Sequence, residues 1–208
     1  MSTYNELVNG VISDMAREGE EGITSAVQNA ISLSIAHYET MPWWFLETQA
    51  TINTVDGTEY YDLPSDFGAT EVSLVINISN NTYPLIKRTY QYLENVFTKG
   101  AIFSGYPTEY AVYQQQLRLY PIPNGEYTAT ISYVAQLGVP ASDAASNAWT
   151  TDCELLIRSR AEWQLHALRF HDAEAASIAK SVEQTAFGEL NKKNMQRLRT
   201  GKTVRRSI

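Results

Sequence analysis

Apolar residues near both ends of the chain recur every three or four positions, whereas in the middle they recur every second one. Leu7, Val8, Val11, Ile12 and Met15 follow Thr3-Tyr-Asn-Glu6. That tetrapeptide fits a capping box, in which the Thr hydroxyl and the Glu carboxylate satisfy backbone donors that a first helical turn leaves unpaired. Gly19 and Gly22 bracket an acidic turn. Ile23, Val27, Ala30, Ile31, Ile35 and Tyr38 then mark one face of a second helix, which Pro42 stops.

After MPWWF the period shortens to two. LETQATINTV, Asp56-Gly57 and TEYYDLP read as a hairpin, because Asp-Gly accepts the positive φ of a tight turn. TEVSLVINIS and TYPLIKR read as a second hairpin around Asn80-Asn81. AVYQQQLRLYPIPNGEYTATISYVAQ reads as a third, turning at Asn124-Gly125, with Leu117 and Leu119 alternating on one limb and Tyr127, Ala129, Ile131 and Tyr133 on the other. Pro121 and Pro123 cannot donate to a ladder, so the stretch they occupy is expected at an edge or beyond the paired region. A short helix over Tyr90 to Phe97 and the loop GAIFSGYPTEY separate the last two hairpins.

Helical spacing returns near residue 151. Thr151-Asp-Cys-Glu154 fits a second capping box, followed by Leu155, Leu156, Ala161, Leu165 and Leu168 with Trp163 alongside. Asp172 is placed to cap a last helix with the stripe Ala175, Ile178, Ala179, Val182, Ala186 and Leu190. Its small residues permit close helix contact, and a run to about Leu198 would span roughly 40 Å. The elements predict an α+β protein. An antiparallel helical bundle comes from both ends of the chain (1–42 and 148–200), an antiparallel β module of roughly six strands is inserted over 43–147, and 201–208 form a basic C-terminal tail.

Charge adds a division that periodicity does not show. The chain holds 16 Lys and Arg against 23 Asp and Glu. Seven of the basic residues (Lys192, Lys193, Arg197, Arg199, Lys202, Arg205, Arg206) fall in 192–208, which has no acid, so the rest of the chain is strongly acidic. Between Glu18 and Ile86 there is no Lys or Arg, but there are Glu18, Glu20, Glu21, Glu39, Glu47, Asp56, Glu59, Asp62, Asp66 and Glu71. Such a body is expected to repel a nucleic-acid backbone and such a tail to be drawn to acidic surfaces. The single cysteine, Cys153, excludes an internal disulfide and a four-cysteine zinc site. A basic segment followed by an apolar one is missing at the N-terminus, as is any bilayer-length apolar run, so a soluble protein without a membrane partner is expected.

Candidate chemistry is sparse. His166 and His171 are five apart, about 140° around a helix, whereas two ligands on one face need a spacing of three or four; His37 stands apart from both. Cys153 at a helix start has a position that can lower a thiol pKa, yet a small core residue is the simpler reading. Glu18, Glu20 and Glu21 are interleaved with glycines and read as a flexible turn. Phosphate-binding, dinucleotide and nucleophile-elbow motifs are absent. The expectation is therefore no enzyme, no metal and no cofactor. Thirteen Tyr and four Trp could stack on bases, but the β module interleaves them with only Lys87, Arg88, Lys99 and Arg118, so they read as core and interface residues.

The order of these features resembles a known family. A helical start, the cluster Trp43, Trp44 and Phe45, a segment ending in DLPSDF, then PTEY, LRLYPIPNGEYTATISY and helices after Asn147-Ala-Trp149 look like the head-to-tail adaptor (connector) proteins of tailed bacteriophages. The matching positions are Pro107, Tyr110, Leu117, Leu119, Pro121, Pro123, Tyr127, Ile131 and Tyr133, with the turn at Asn124 and Gly125. The resemblance implies a structural virion protein, assembled in the host cytoplasm and sited at the head-tail junction. Its partners would be the portal protein, a tail or nozzle protein and its own copies in a dodecameric ring, through which DNA passes without specific binding. It also implies portal docking by a C-terminal extension, here Lys192, Lys193, Arg197, Arg199, Lys202, Val204, Arg205, Arg206 and Ile208. Two rival readings are a nucleic-acid-binding protein that uses the basic tail and a virion-associated cell-wall hydrolase suggested by the many carboxylates.

Overall fold

The computed structural model describes residues 2–79, 81–98, 100 and 103–203. In chain order its elements are α1 (Tyr4–Asp14), α2 (Ile23–Tyr38), a 3₁₀ turn (Trp44–Leu46), β1 (Glu47–Asn53), β2 (Tyr60–Asp62), β3 (Phe67–Ile78), β4 (Asn81–Pro84) and β5 (Ile86–Lys87). They continue with α3 (Tyr90–Thr98), β6 (Ser104–Gly105), β7 (Glu109–Tyr113), β8 (Gln116–Tyr120), β9 (Ile122–Pro123) and β10 (Thr128–Ala135). The last are α4 (Ala148–Thr151), α5 (Glu154–Gln164), a π-helical turn (Leu165–Phe170) and α6 (Ala173–Thr203). The protein is α+β and falls into two compact units, one from the chain up to Phe45 together with the chain from Leu137 onward, the other Leu46–Gln136.

In the helical unit the capping box at α1 forms as the sequence predicts: Glu6 N donates to Thr3 Oγ1 (3.2 Å) and Thr3 N to Glu6 Oε2 (2.8 Å). α1 packs on α2 and α5, α2 on α5, and α5 on α6. Leu7, Val11, Val27, Ile31, Ile35, Trp43, Trp149, Ile157 and Ala161 are fully or almost fully buried. Asp172 caps α6, its carboxylate accepting from Ala175 N at 3.0 Å.

Two helical expectations need correction. Thr151 does not cap α5. Asn147 closes a capping box with Thr150 on the short α4, and α5 starts from Cys153 with no side-chain cap. The buried stripe of α6 is Ala176, Ala179, Glu183, Ala186, Leu190 and Asn194, while Ile178 and Val182 are exposed, as are Leu155 and Leu168 beside it. Small residues lie on two adjacent faces of α6, and the face turned to α5 is the one whose Glu183 and Asn194 find hydrogen-bond partners. Hydropathy alone could not rank them.

The β unit departs further from the sequence reading. Among the described residues ten strands form instead of about six, in two four-stranded sheets, ordered β1-β10-β3-β4 and β2-β8-β7-β5, and the pair β6-β9. Only the β3–β4 hairpin forms as expected; Asn80 of its turn lies outside the described residues. Across Asp56-Gly57 β1 does not pair with β2, and across Asn124-Gly125 β8 does not pair with β10. Instead β1 pairs with β10, and β8 lies between β2 and β7. The real tight hairpin is β7–β8, turning on Gln114 and Gln115 with φ of 49° and 63°. Neither is a residue that favours positive φ, so the turn carries no sequence signal. Two pairings, β5–β7 and β6–β9, are parallel.

The predicted turns are crossovers between sheets. Pro121 follows the last paired residue of β8, and Pro123 lies in a two-stranded sheet whose strands are both edges, which is where residues without an N–H are tolerated. Leu74, Ile76, Ala129 and Ile131 from one sheet meet Tyr61, Tyr110, Leu117 and Leu119 from the other in one buried cluster. α3 lies against β7 and buries Leu93.

Candidate assembly surface

Three groups of side chains could carry function: the basic C-terminal half of α6, a buried ionic cluster beneath the same helix, and the aromatic and proline markers of the β unit. α6 runs for 31 residues, about 46 Å at the standard rise. The MPWWF segment clamps its far half. Trp44 N donates to Asn194 Oδ1 (3.0 Å), Asn194 Nδ2 donates to Pro42 O (3.1 Å), and the Arg197 guanidinium lies 4.9 Å over the Trp44 ring. Trp43 is buried, donates from Nε1 to Tyr38 O (2.9 Å) and meets Phe187 edge-on; Phe45 meets Trp149 in the same way.

Of the basic residues singled out from the sequence, Arg197 is thus tied to its own unit. Lys192 and Lys193 are exposed on the helix, and Arg199 and Lys202 continue it. Val204, Arg205, Arg206 and Ile208 lie outside the described residues. The sequence reading missed Asn194; a polar residue at helical spacing within an otherwise apolar stripe is the signal that could have found it.

Below α6, Glu183 is buried and accepts three hydrogen bonds: from Tyr38 Oη (2.6 Å), Arg160 Nη1 (2.7 Å) and Lys180 Nζ (2.6 Å). Burial alone would raise its pKa, but these donors outweigh that and hold it below the usual carboxylate value. Burial also raises the Tyr38 pKa and lowers that of His37, the latter helped by the Arg160 charge. Trp163, Ala167, His171, Ala176, Ser177 and Lys180 line an open groove of about 720 Å³ nearby, and Lys180 Nζ sits 4.5 Å over the Trp163 ring.

Between α1 and α5, Arg158 is surrounded by Asp14, Glu154 and Glu162. Burial, with a hydrogen bond to Asp14, pushes the Glu162 carboxyl up to about 7. Cys153 is buried and its thiol is pushed up to about 12, opposite to the shift a nucleophile needs. Among the described residues no group of three or more His, Cys, Asp or Glu is placed to hold a metal ion.

Several acids of the Lys- and Arg-free span are structural. Glu39 accepts from Gly138 N (2.6 Å) and Trp149 Nε1 (3.2 Å), and Asp66 accepts from Tyr133 Oη (2.8 Å), which together with burial pushes the Tyr133 hydroxyl up to about 12. Glu59 of that span, with Glu94 beyond it, pairs with Arg118, which is buried with its guanidinium 4.1 Å from the Phe97 ring centroid and near Tyr60 and Tyr90. Arg118 is therefore not offered to a nucleic acid.

The marker residues are scaffold. Pro107, Tyr110, Pro123 and Tyr133 are buried. Asn124 accepts from Tyr127 Oη (2.6 Å), and the Gly125 carbonyl accepts from Thr54 Oγ1 (2.8 Å), which together fasten the crossover into β10.

Among the described residues no helix is long and apolar enough to cross a membrane. Comparison with curated proteins finds no match. Comparison with protein families finds one over residues 2–207, to the SU10 adaptor protein. Because that match leaves only Met1 and Ile208 outside, the chain belongs to the SU10 adaptor protein family, structural phage adaptors of the kind its Pro-x-x-Tyr and Pro-x-Pro segments resemble.

Proposed function

We propose that the protein is the head-to-tail adaptor of a tailed phage, a dodecameric ring at the head-tail junction that joins the portal to the tail or nozzle protein and surrounds part of the DNA channel. The match to the SU10 adaptor family along the whole chain carries this reading. The charge distribution supports it. Phosphate contacts from Lys and Arg would grip DNA in a salt-dependent way, and the long stretch without either suits a conduit. Exposed Lys192 and Lys193, with Arg199, Lys202, Val204, Arg205, Arg206 and Ile208 beyond them, form the portal-docking segment. Arg197 and Asn194 brace its base, because their contacts with Trp44 and Pro42 hold that part of α6 to the unit.

The test mixes the purified protein with portal rings, followed by size-exclusion chromatography and electron microscopy. A closed ring stacked on the portal is expected. Replacing both Lys192 and Lys193 by Glu, or ending the chain after Thr203, should weaken attachment and leave the helical unit folded. No association of the wild-type chain with portal, or tight salt-sensitive binding of duplex DNA instead, would overturn the proposal.

A further inference from the structure

The sheet β1-β10-β3-β4 ends in two open strands whose properties match. β1 pairs with β10 without a break from Glu47↔Val134 to Asn53↔Thr128. One step further, Thr54 N donates to Tyr127 O at 2.8 Å. In an antiparallel ladder alternate residues turn their N–H and C=O toward the partner. Thr48, Ala50 and Ile52 therefore face β10, and Glu47, Gln49, Thr51 and Asn53 direct theirs to the open side. β1 has no Pro, Lys or bulge, the usual devices that blunt a sheet edge.

At the other end Leu85 N donates to Leu74 O at 2.9 Å, so by the same alternation Thr82 and Pro84 face outward from β4; Thr82 offers an N–H and a carbonyl, and Pro84, which has no N–H, a carbonyl alone. Among the described residues no strand pairs on the outer side of either β1 or β4.

Each junction in this sheet is antiparallel, and the sheet has four strands, so β1 and β4 run in opposite directions. Two copies placed side by side in the same orientation thus bring β4 of one against β1 of the next as an antiparallel pair. The side chains agree. Ala50 and Ile52 lie on the core face of β1 but are only partly covered; Tyr83, paired with the core residue Ile76, is 49 % exposed. With Thr82 bonded to Thr51 or Asn53, Tyr83 falls opposite Ala50 or Ile52 on that same face. The aromatic and aliphatic edges then cover one another.

We propose that copies of this chain join head to tail by antiparallel pairing of β4 in one with β1 in the next, so that one sheet continues around the assembly. The proposal rests on the ring reading above, since a heterologous contact of this kind closes only as a ring. It does not depend on which portal or tail protein the ring meets.

Thr51→Pro removes an outward N–H and leaves the β10 ladder intact; Thr82→Pro removes the outward N–H of β4 together with the bond from Thr82 Oγ1 to Asn77 Oδ1. Thr51→Pro should unfold at the wild-type urea midpoint, neither variant should form a closed ring on portal, and a mixture of the two should stop at pairs. Closed rings of Thr51→Pro overturn the inference while leaving the adaptor reading in place. Amide exchange of the wild type needs no variant. The N–H groups of Glu47, Gln49, Thr51 and Asn53 should exchange more than about tenfold slower in the ring than in the monomer, and equal exchange overturns the inference. If the wild type forms no ring on portal, the adaptor reading fails as well.

Discussion

Glu183→Ala gives the sharpest test of how α6 is held. The carboxylate accepts from Tyr38, Arg160 and Lys180, and its side chain is 4 % exposed. Lys180 is 38 % exposed and can turn to water, so its bond contributes little. Arg160 and the Tyr38 hydroxyl are largely enclosed and would lose their carboxylate acceptor. Removing one partner of a buried pair costs about 3 to 5 kcal/mol, and the lower figure applies with Lys180 discounted. With a urea dependence of about 2 kcal/mol per molar, a loss of about 3 kcal/mol lowers the midpoint by roughly 1.5 M. Tryptophan fluorescence is a suitable probe, because Trp43, Trp44, Trp149 and Trp163 all belong to the helical unit. The sign of the pH effect follows from the lowered pKa: the contribution is present above the unfolded-state value of 4.5 and is lost as pH falls through the folded one. The gap between wild type and Glu183→Ala should therefore be full at pH 7 and close in acid. A difference under about 0.5 kcal/mol at pH 7, or one unchanged in acid, would refute the reasoning.

Glu162 should behave in the opposite sense. Its carboxyl is pushed up to about 7 beside Asp14, Glu154 and Arg158, so the helical unit loses stability as pH rises from about 4.5 through 7, and Glu162→Gln should flatten that slope in urea titrations. Arg118→Ala empties a buried site among Tyr60, Tyr90 and Phe97 and unpairs the part-exposed Glu59 and Glu94. We expect the β unit to lose stability through lost packing, read as faster proteolysis within 46–136, with the tryptophan signal unchanged. Gln115→Gly should stabilise the same unit by roughly 0.5 to 1 kcal/mol, because φ at that position is 63°, and an unchanged midpoint would argue against strain there.

What was legible in the sequence was local. Thr3 and Glu6 cap α1, Asp172 caps α6, α3 lies where spacing put it, and the β3–β4 hairpin forms, because each depends on residues within a few positions of one another. The proline-bearing segment was recognisable as family character, though its partners were not. Strand pairing across Asp56-Gly57 and Asn124-Gly125 was decided elsewhere. The first turn leads from the sheet of β1 into that of β2 and the second from the pair β6-β9 into the sheet of β10, and the favourable term is burial of Leu74, Ile131, Leu117 and Leu119 between the two larger sheets, a contact among distant positions that no window of sequence contains. The same holds for the assembly surface. Basic residues near the C-terminus were visible as a charge run, but only packing shows that Arg197 is spent on Trp44, and only the parity of a four-stranded sheet leaves β1 and β4 with matching edges. Local hydrogen bonds and periodicity belong to the chain alone, whereas pairing order, buried charge and open edges arise when distant segments compete for one core.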